Sequence, residues 1–400
     1  MKSLKSLYRI GPGPSSSHTI GPKLAAEDFK KYCDDVISID ITLFASFALT
    51  GYGHKTDAII KNVLHEFKTE VHIDITTDVR HPNTVKFVGH KKDGTSITRT
   101  YESIGGGELI CLEDDNVESK DVYPFKNFNE IKEYMEVNQI HSLAGFAYKF
   151  EDNEIKTYLK EILETMFTSV EKGLSTEGKV QAGKKLFIDR VAGKLYKDQL
   201  DAKEKDKNML IAAFAYAVSE ENASGGTLVT APTCGSAGVL PAVLYYSYLE
   251  GKNENELIDA LAVAGIVGNI FKENATISGA VGGCQAEIGV AVCMASAALC
   301  YLDNLSVEQV EYAAELAMEH QLGLTCDPID GYVAIPCIER NAVGAVRALQ
   351  SFTFAKWISS NRKNVMSLDD IVETMKITGD TLSTDYKETS VGGISKIKNK

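Results

Sequence analysis

The sequence predicts an α+β domain over residues 1–125 and an all-α domain over residues 126–400. Over roughly the first 125 residues, segments with helical spacing of apolar residues are interspersed with segments in which apolar and polar residues alternate. Beyond about Val122, nearly every patterned segment has helical spacing. The length of 400 residues also suits two or three domains of roughly 100–200 residues each.

The N-terminal segments predict a small two-layer domain. Helical spacing over residues 23–34 is followed by residues 36–50, which begin with apolar and polar alternation and predict a strand, and helical spacing returns over residues 56–70. Short β-like runs come next, separated by turn residues such as Asp93-Gly94. These runs cover residues 83–89, 95–103 and 108–113.

The C-terminal segments predict a bundle of helices rich in Ala, Leu and Val. Helices are expected over residues 127–137, 151–172, 207–219, 237–249, 254–271, 287–302, 306–320, 339–358 and 368–377. Ser306 and Ser367 are suitable N-caps, each with acidic residues in the following turn. Glycine-rich breaks at 224–238, 274–283 and 323–336 contain polar residues and cysteines, and such loops on a rigid scaffold are the usual place for a functional site.

Composition and charge exclude several classes of partner. The net charge of −13 and the pI of about 5.2 disfavour broad contacts with nucleic acid or an anionic membrane, which need a basic face. Residues 1–10 have no apolar stretch of the kind that secretory signals carry. The apolar runs 257–270 and 288–302 are shorter than the roughly 20 residues of a membrane-spanning helix. We therefore expect a cytoplasmic protein with no nucleic-acid or membrane partner.

Two short motifs contain histidines. Residues 11–19 read GPGPSSSHT before a helix, where serine hydroxyls and free N–H groups could bind a carboxylate facing His18, or merely cap the helix. Residues 51–57 read GYGHKTD between a strand and a helix. His54 could transfer a proton there, or lie exposed in an ordinary turn. The GGG at 105–107 lacks the nucleotide-binding patterns and predicts a tight turn.

The eight cysteines include three in separate glycine-rich breaks or beside them, namely Cys284, Cys326 and Cys337. The chain contains no CxxC pair, which disfavours structural zinc. Three thiolates on separate loops suit a [4Fe–4S] cluster with one iron free of protein sulfur. Spacing alone, however, favours three buried core cysteines. Arg340 follows closely and could grip a carboxylate or form a surface ion pair.

Seven segments taken together resemble the iron–sulfur L-serine dehydratase (L-serine ammonia-lyase) family, in its single-chain form with fused β and α domains. They are GPGPSSSHTIGP (11–22), ALTGYGHKTD (48–57), YESIGGGEL (101–109), SEENASGGTLVTAPTCGSAGVLPAVL (219–244), NATISGAVGGCQAEIGVA (274–291), MEHQLGLTCDPIDGYVAIPCIERNA (318–342) and YKETSVGGI (386–394). Their order over almost the whole chain is far more specific than any one motif.

The resemblance implies conversion of L-serine to pyruvate and ammonia, which would feed gluconeogenesis, at a site between the two domains. It implies a [4Fe–4S] cluster on Cys284, Cys326 and Cys337. It also implies roles for His54, which we take as the general base, and for His18, which would orient the substrate or act as an acid. The residues expected to hold the substrate carboxylate and amino group are Ser16, Ser17, Ser103, Thr233, Asn274 and Arg340. The partners expected are L-serine and a second copy of the chain in a homodimer.

Some features depart from the family pattern. The stretch before Cys284 lacks an acidic residue that relatives often carry, Cys234 is a doubtful ligand, and no cysteine follows Cys337, so control by a tail cysteine is not expected. L-cysteine or L-threonine remains open as the substrate. A non-catalytic iron–sulfur or amino-acid sensor is a further alternative. A pyridoxal-phosphate enzyme is disfavoured, because no convincing Ser-x-Lys motif accompanies a phosphate loop.

Overall fold

The computed structural model describes residues 1–114, 121–359, 361–362 and 364–398. Its N-terminal part is a five-stranded sheet with helices on one face. The elements in chain order are β1 (Ile10–Pro12), α1 (Gly21–Lys30), β2 (Val36–Phe44), α2 (Ala45–Thr50), α3 (Thr56–Val63), β3 (Lys68–Asp74), β4 (Thr84–Lys91), β5 (Ser96–Gly105) and β6 (Glu108–Cys111). The sheet order is β3-β2-β4-β5-β6, in which only the β2–β3 pair is parallel.

Alternation along β2 builds the core of this part. Ile39, Ile41 and Leu43 are buried and pack with Phe29 of α1 and Ile60 of α3. The residues between them point to the opposite face of the sheet, because successive side chains of a strand alternate. That opposite face carries polar residues, and the two faces therefore have different chemistry.

The helix predicted over residues 56–70 is wrong beyond Val63. Lys68–Asp74 forms β3 and pairs with β2 from Ser38↔Lys68 to Phe44↔Asp74. The spacing of Leu64 and Phe67 fits a helix, whereas alternation from Phe67 through Val71 fits a strand, so a short apolar run allowed both. Pairing with β2 decides in favour of the strand, and no local sequence pattern shows that pairing.

The C-terminal part is a packed group of helices with three short strands. Its elements are α4 (Phe128–Val137), α5 (Leu143–Phe150), α6 (Ile155–Ser175), β7 (Lys179–Gln181), β8 (Phe187–Asp189), α7 (Ala192–Asp201), α8 (Lys207–Ser224), β9 (Thr227–Val229), α9 (Val239–Leu249), α10 (Glu254–Asn274), α11 (Gly279–Gly282), α12 (Ile288–Leu302), α13 (Val307–Glu319), α14 (Cys337–Ile358), α15 (Leu368–Thr381) and α16 (Gly393–Lys398). The predicted order of an α+β part followed by a helical part is confirmed. The predicted boundary at residues 125 and 126 stays a prediction.

Helix α12 is the centre of the helical part. Every residue of it except Tyr301 is buried, because it is apolar on all sides and neighbouring helices surround it. The longer segment Cys284–Leu302 is long and apolar enough to cross a membrane. However, 89% of this apolar stretch is buried inside the protein. Such burial is typical of a core helix.

The start of the chain belongs to the helical part rather than to the sheet. Leu4, Leu7 and Tyr8 lie in the helical core, and β1 pairs with β9 in antiparallel register. The Asn222 amide at the end of α8 donates to the Pro14 carbonyl at 2.9 Å. These contacts fix residues 13–19 at the junction of the two parts, where the first histidine motif lies.

Candidate active site at the junction of the two parts

The two motif histidines lie side by side at the junction. His18 is in the turn that enters α1, His54 follows α2, and their rings are 4.4 Å apart between centroids. Both side chains are buried. The hydroxyl of Thr56 donates to the His18 carbonyl at 2.6 Å and that of Thr19 to the His54 carbonyl at 2.8 Å. These reciprocal bonds hold the two motifs together.

A close backbone contact brings the helical part next to His54. A Cβ atom placed on Gly53 would lie 2.5 Å from the carbonyl oxygen of Gly331, so only glycine allows this approach. Gly53 of the GYGH motif is therefore required by packing against the helical part, as well as by the local turn.

The hydrogen bonds of His54 determine which ring nitrogen is basic. Nδ1 lies 3.0 Å from the Thr50 carbonyl, which can only accept, so Nδ1 carries the hydrogen and Nε2 carries the lone pair. Burial lowers the pKa of His54 to about 4, and the bond to Thr50 opposes that shift. His54 is thus a neutral imidazole near pH 7, with its basic nitrogen turned into the site.

His18 is held at both ring nitrogens by serines. The Ser46 hydroxyl donates to the Glu388 carbonyl at 3.0 Å, so it accepts from Nε2 of His18, also at 3.0 Å. Ser17 Oγ lies 2.9 Å from Nδ1 and is the donor there. Burial lowers the pKa of His18 well below its ordinary value, and the neighbouring His54 lowers it further. The ring is therefore fixed, neutral and inaccessible to bulk water.

Glu388 was not identified from the sequence, although it lies in the quoted 386–394 segment. Its Oε1 atom is 3.4 Å from Nδ1 of His18 and 3.4 Å from Nε2 of His54. Burial raises the pKa of this carboxyl well above its usual value, and the charges of Glu287 and Cys284 add to the shift. The C-terminal segment thus brings a buried acid against both lone pairs of the histidine pair.

The backbone around Glu388 connects this acid to the cysteine loops. Its N–H donates to the Cys326 carbonyl at 2.8 Å, and the Cys326 N–H donates to the Tyr386 carbonyl at 2.8 Å. Glu388 has a φ of 58°, an uncommon conformation for a residue with a side chain. No sequence pattern reports such a conformation, which explains why the residue was missed.

The three cysteines of the predicted cluster meet next to Arg340. Cys284 lies just before α12, Cys326 in the loop after α13, and Cys337 begins α14. The Cys326 thiol donates to the Cys284 sulfur and, with the positive charge of Arg340, lowers the pKa of Cys284 to about 6. The hydrogen bond to Cys284 raises the pKa of Cys326 well above its usual value, and burial does the same for Cys337. Cys284 is therefore the first of the three to ionise.

The arrangement of these sulfurs fits a cluster better than a single ion. A tetrahedral ion with Zn–S bonds of about 2.3 Å brings its sulfurs within about 3.8 Å of one another. Among the described residues, the groups of three or more donors within 4.8 Å of each other are His18, His54 and Glu388, and Asp40, Glu70 and His72. Cys284 and Cys326 are in hydrogen-bond contact, but at least one pair among the three cysteine sulfurs is farther apart than 4.8 Å. Cys284 and Cys337 also lie at the N-terminal ends of α12 and α14, where helix dipoles favour thiolates.

A second acid, the half-buried Glu287, was also missed. The hydroxyl of Thr233 donates to its Oε1 at 2.7 Å, and burial next to Cys284 raises the pKa of Glu287 to about 8. A Cβ atom on Gly279 would touch both Glu287 and the sulfur of Cys326. Thr233 therefore reaches the cysteine group through Glu287, and its predicted contact with the substrate stays a prediction.

The other residues expected to bind substrate have different surroundings. Ser16 is buried in the His18 turn, Ser17 contacts His18, and the Ser103 hydroxyl is buried with no hydrogen-bond partner among the described residues. Arg340 donates to the Thr325 carbonyl and also pairs with Asp327 at 3.4 Å and with Cys284. Their roles toward the substrate stay predictions.

Asn274 is not brought to this site. Its amide donates to the carbonyls of Lys126 and Ile270, at 2.6 and 2.9 Å, and it lines a separate cavity with Asp369. It ends α10, and its side chain folds back to satisfy that helix end, which is a common use of Asn. Its predicted contact with the substrate stays a prediction.

The junction defines an enzyme whose acid, base and cysteine groups come from both parts of the chain. The family model described as serine dehydratase beta chain matches residues 3–78, and the one described as serine dehydratase alpha chain matches residues 58–395. L-serine dehydratase 2 of Escherichia coli K12 is 36% identical over 99% of this chain and 98% of its own. The L-serine dehydratases of Streptomyces coelicolor (36%) and Helicobacter pylori 26695 (35%) each match 98% of both chains. The chain belongs to the serine dehydratase family and is a lyase.

Proposed function

We propose that the chain is an L-serine ammonia-lyase that depends on a [4Fe–4S] cluster and converts L-serine to pyruvate and ammonia. One observation carries the proposal. The buried Glu388 lies 3.4 Å from the basic Nε2 of His54, and its backbone N–H is bonded to Cys326, so the histidine pair and the cysteine group adjoin at one buried junction. The names of the relatives reported above support L-serine as the substrate.

Cys284, Cys326 and Cys337 would hold the cluster through three of its irons. The low pKa of Cys284, about 6, and the two helix N-termini favour the thiolates that ligation requires. When bound, the cluster would supply a Lewis-acidic iron that makes the β-hydroxyl of serine a better leaving group. No cysteine follows Cys337 in the sequence, so a fourth iron would have no sulfur ligand from this C-terminal segment.

His54 would remove the α-proton of serine. Its neutral ring can accept a proton at Nε2 while Nδ1–H keeps its bond to Thr50, which stabilises the imidazolium that forms. The electron pair left at Cα forms the double bond to Cβ as the hydroxide departs and takes up a proton to become water. The enamine then tautomerises to an imine, and water hydrolyses the imine to pyruvate and ammonia. His18 would orient the substrate, because its neutral ring has its only N–H bonded to Ser46 and is unsuited to the acid role; the buried Glu388 carboxyl, with its raised pKa, would supply the proton to the departing hydroxide.

Buried polar atoms without partners indicate where the rest of the substrate would bind. Among the described residues, the Ser103 and Ser278 hydroxyls and the Asn83 side-chain oxygen have no hydrogen-bond partner. Asn83 and Ser103 are joined through their backbones, and the turn after Ser103 packs on Ile277 and Ser278. A buried unpaired group costs about 1–3 kcal/mol, so a bound amino acid would relieve that cost.

A substrate assay tests this proposal. The anaerobically reconstituted protein should form pyruvate from L-serine and 2-oxobutanoate from L-threonine. We expect kcat/KM for L-serine to be at least about tenfold higher, because one extra methyl group changes binding in a pocket by about 1–3 kcal/mol. L-cysteine, assayed through sulfide release, should also be poorer than L-serine. A preference for threonine or cysteine would contradict the substrate. Full cluster loading with no turnover of any of the three would favour a sensor instead.

We also propose that the protein acts in the cytoplasm, where it would feed serine catabolism and gluconeogenesis. All eight cysteines are free thiols in the structure, as expected in a reducing compartment. An oxygen-sensitive cluster would be stable there.

A further inference from the structure

The sheet face turned away from α1 and α3 carries a group of metal-binding side chains. Asp40 of β2 lies opposite Glu70 of the parallel strand β3, and His72 follows two residues later on the same face. On the other side of β2, His90 of β4 stands opposite Ser38 in antiparallel register, and its Nε2 reaches diagonally to Oδ2 of Asp40 at 2.8 Å. Three neighbouring strands therefore point four potential donors at one place.

The distances suit a single ion. Oδ1 of Asp40 lies 3.7 Å from Nε2 of His72, and the donor atoms of Asp40, Glu70 and His72 all lie within 4.8 Å of one another. Two ligands of a tetrahedral zinc ion, with bonds of about 2.0–2.1 Å, lie about 3.4 Å apart. Small side-chain rotations would bring these three donors to that separation, since the strands already fix their Cα positions.

His90 supports this arrangement from outside. Its Nε2 donates to Oδ2 of Asp40 at 2.8 Å, which orients the carboxylate and leaves Oδ1 available. Hydrogen bonds from such outer partners commonly orient carboxylate ligands of metals.

The ligand types and the solvent exposure of these side chains indicate which ion would bind. One imidazole and two carboxylates are typical zinc ligands, whereas magnesium and calcium prefer oxygen alone. The side chains of Asp40 and His72 are 41% and 47% exposed, so an ion and its water ligand could enter from solvent. The nearest lysines on this face, Lys68 and Lys86, stand opposite Ser38 and Thr42 rather than opposite Asp40.

We propose that Asp40, Glu70 and His72 bind one zinc ion per chain, with His90 positioning Asp40. The site lies on the sheet face opposite α1 and uses none of the residues of the serine site. It is independent of the proposed lyase activity, and its failure would leave that activity untouched.

Equilibrium dialysis of the cluster-loaded protein against zinc chloride tests the proposal, with metal per chain measured by mass spectrometry. We expect His72→Gln and Asp40→Asn each to lose one zinc per chain relative to wild type. His65→Gln changes an exposed histidine of the same domain and should bind like wild type. His90→Gln should weaken zinc binding by about 10–100-fold. Lyase activity per iron should be equal in all four variants.

Thermal unfolding gives a second readout that does not depend on counting ions. Zinc should raise the Tm of wild type and of His65→Gln but not that of His72→Gln, because binding to the folded state stabilises it. Equal zinc content in wild type, His72→Gln and Asp40→Asn would overturn the site, as would an equal Tm shift in all of them. Either result would mean adventitious surface binding only.

Discussion

Replacing Cys284 by alanine is expected to remove both the iron–sulfur absorbance and the lyase activity while leaving the protein folded. Cys284 has the lowest thiol pKa of the three cysteines, about 6, and contacts both Cys326 and Arg340, so its loss removes the ligand that is most readily ionised. The rate should fall at least about a thousandfold, because Lewis-acid assistance to a leaving group is worth several kcal/mol. Iron content, visible absorbance and pyruvate formation measure the effect.

Two other buried cysteines provide matched controls for Cys284→Ala. Cys33 lies in the N-terminal sheet part, and Cys234 lies near Glu287 but was judged a doubtful ligand from the sequence. Cys33→Ala and Cys234→Ala should both keep wild-type iron and at least most of the activity. A Cys284→Ala protein that turns over serine without iron would refute the role of the cluster.

Replacing His54 by glutamine should lower kcat by about 10²–10⁴-fold, the usual contribution of a general base, while the cluster stays in place. The glutamine amide keeps a polar side chain of similar length, but it cannot accept the substrate α-proton. Iron content and absorbance should therefore equal those of wild type. His65→Gln, which changes an exposed histidine, should leave kcat unchanged. An unimpaired rate in His54→Gln would exclude His54 as the base.

The pH dependence provides a further check on His54. Because burial lowers its pKa to about 4, the ring stays unprotonated well below the usual histidine value of about 6.5. We expect kcat/KM to hold from pH 8 to about pH 6 and to fall only toward pH 4–5, as protonation removes the base. The neutral buried ring also contributes stability above pH 6.5 that is lost as pH falls toward 4. An acid limb centred near 6.5 would contradict this account.

The sequence predicted the parts of the fold that depend on local pattern. Helix α12 lies within one residue of its expected bounds, and β2 begins at the expected residue, because both are apolar in a way that the local sequence shows. The strand predicted over residues 36–50 is wrong beyond Phe44, because Ala45–Thr50 forms α2. Strand β3 was mistaken for the end of a helix, since its assignment depends on pairing with β2.

The site was predictable where a motif carried it and unpredictable where tertiary contacts create it. His18, His54 and the three cysteines came from the family resemblance, and the structure gathers them at one junction. Glu388 and Glu287 were missed, because two acids become important only when burial and neighbouring charge raise their pKa. The place of Asn274 in a motif did not reveal that its amide donates to the Ile270 carbonyl at the end of α10.

The central claim is that serine binds at an iron of a cluster held by Cys284, Cys326 and Cys337. Mössbauer spectroscopy of the anaerobically reconstituted protein, with and without L-serine, tests it most directly. The account predicts a [4Fe–4S] spectrum in which a single iron site changes its parameters when serine is added, while the cysteine-ligated irons do not. An unchanged spectrum at saturating serine, or reconstitution without any cluster, would contradict it.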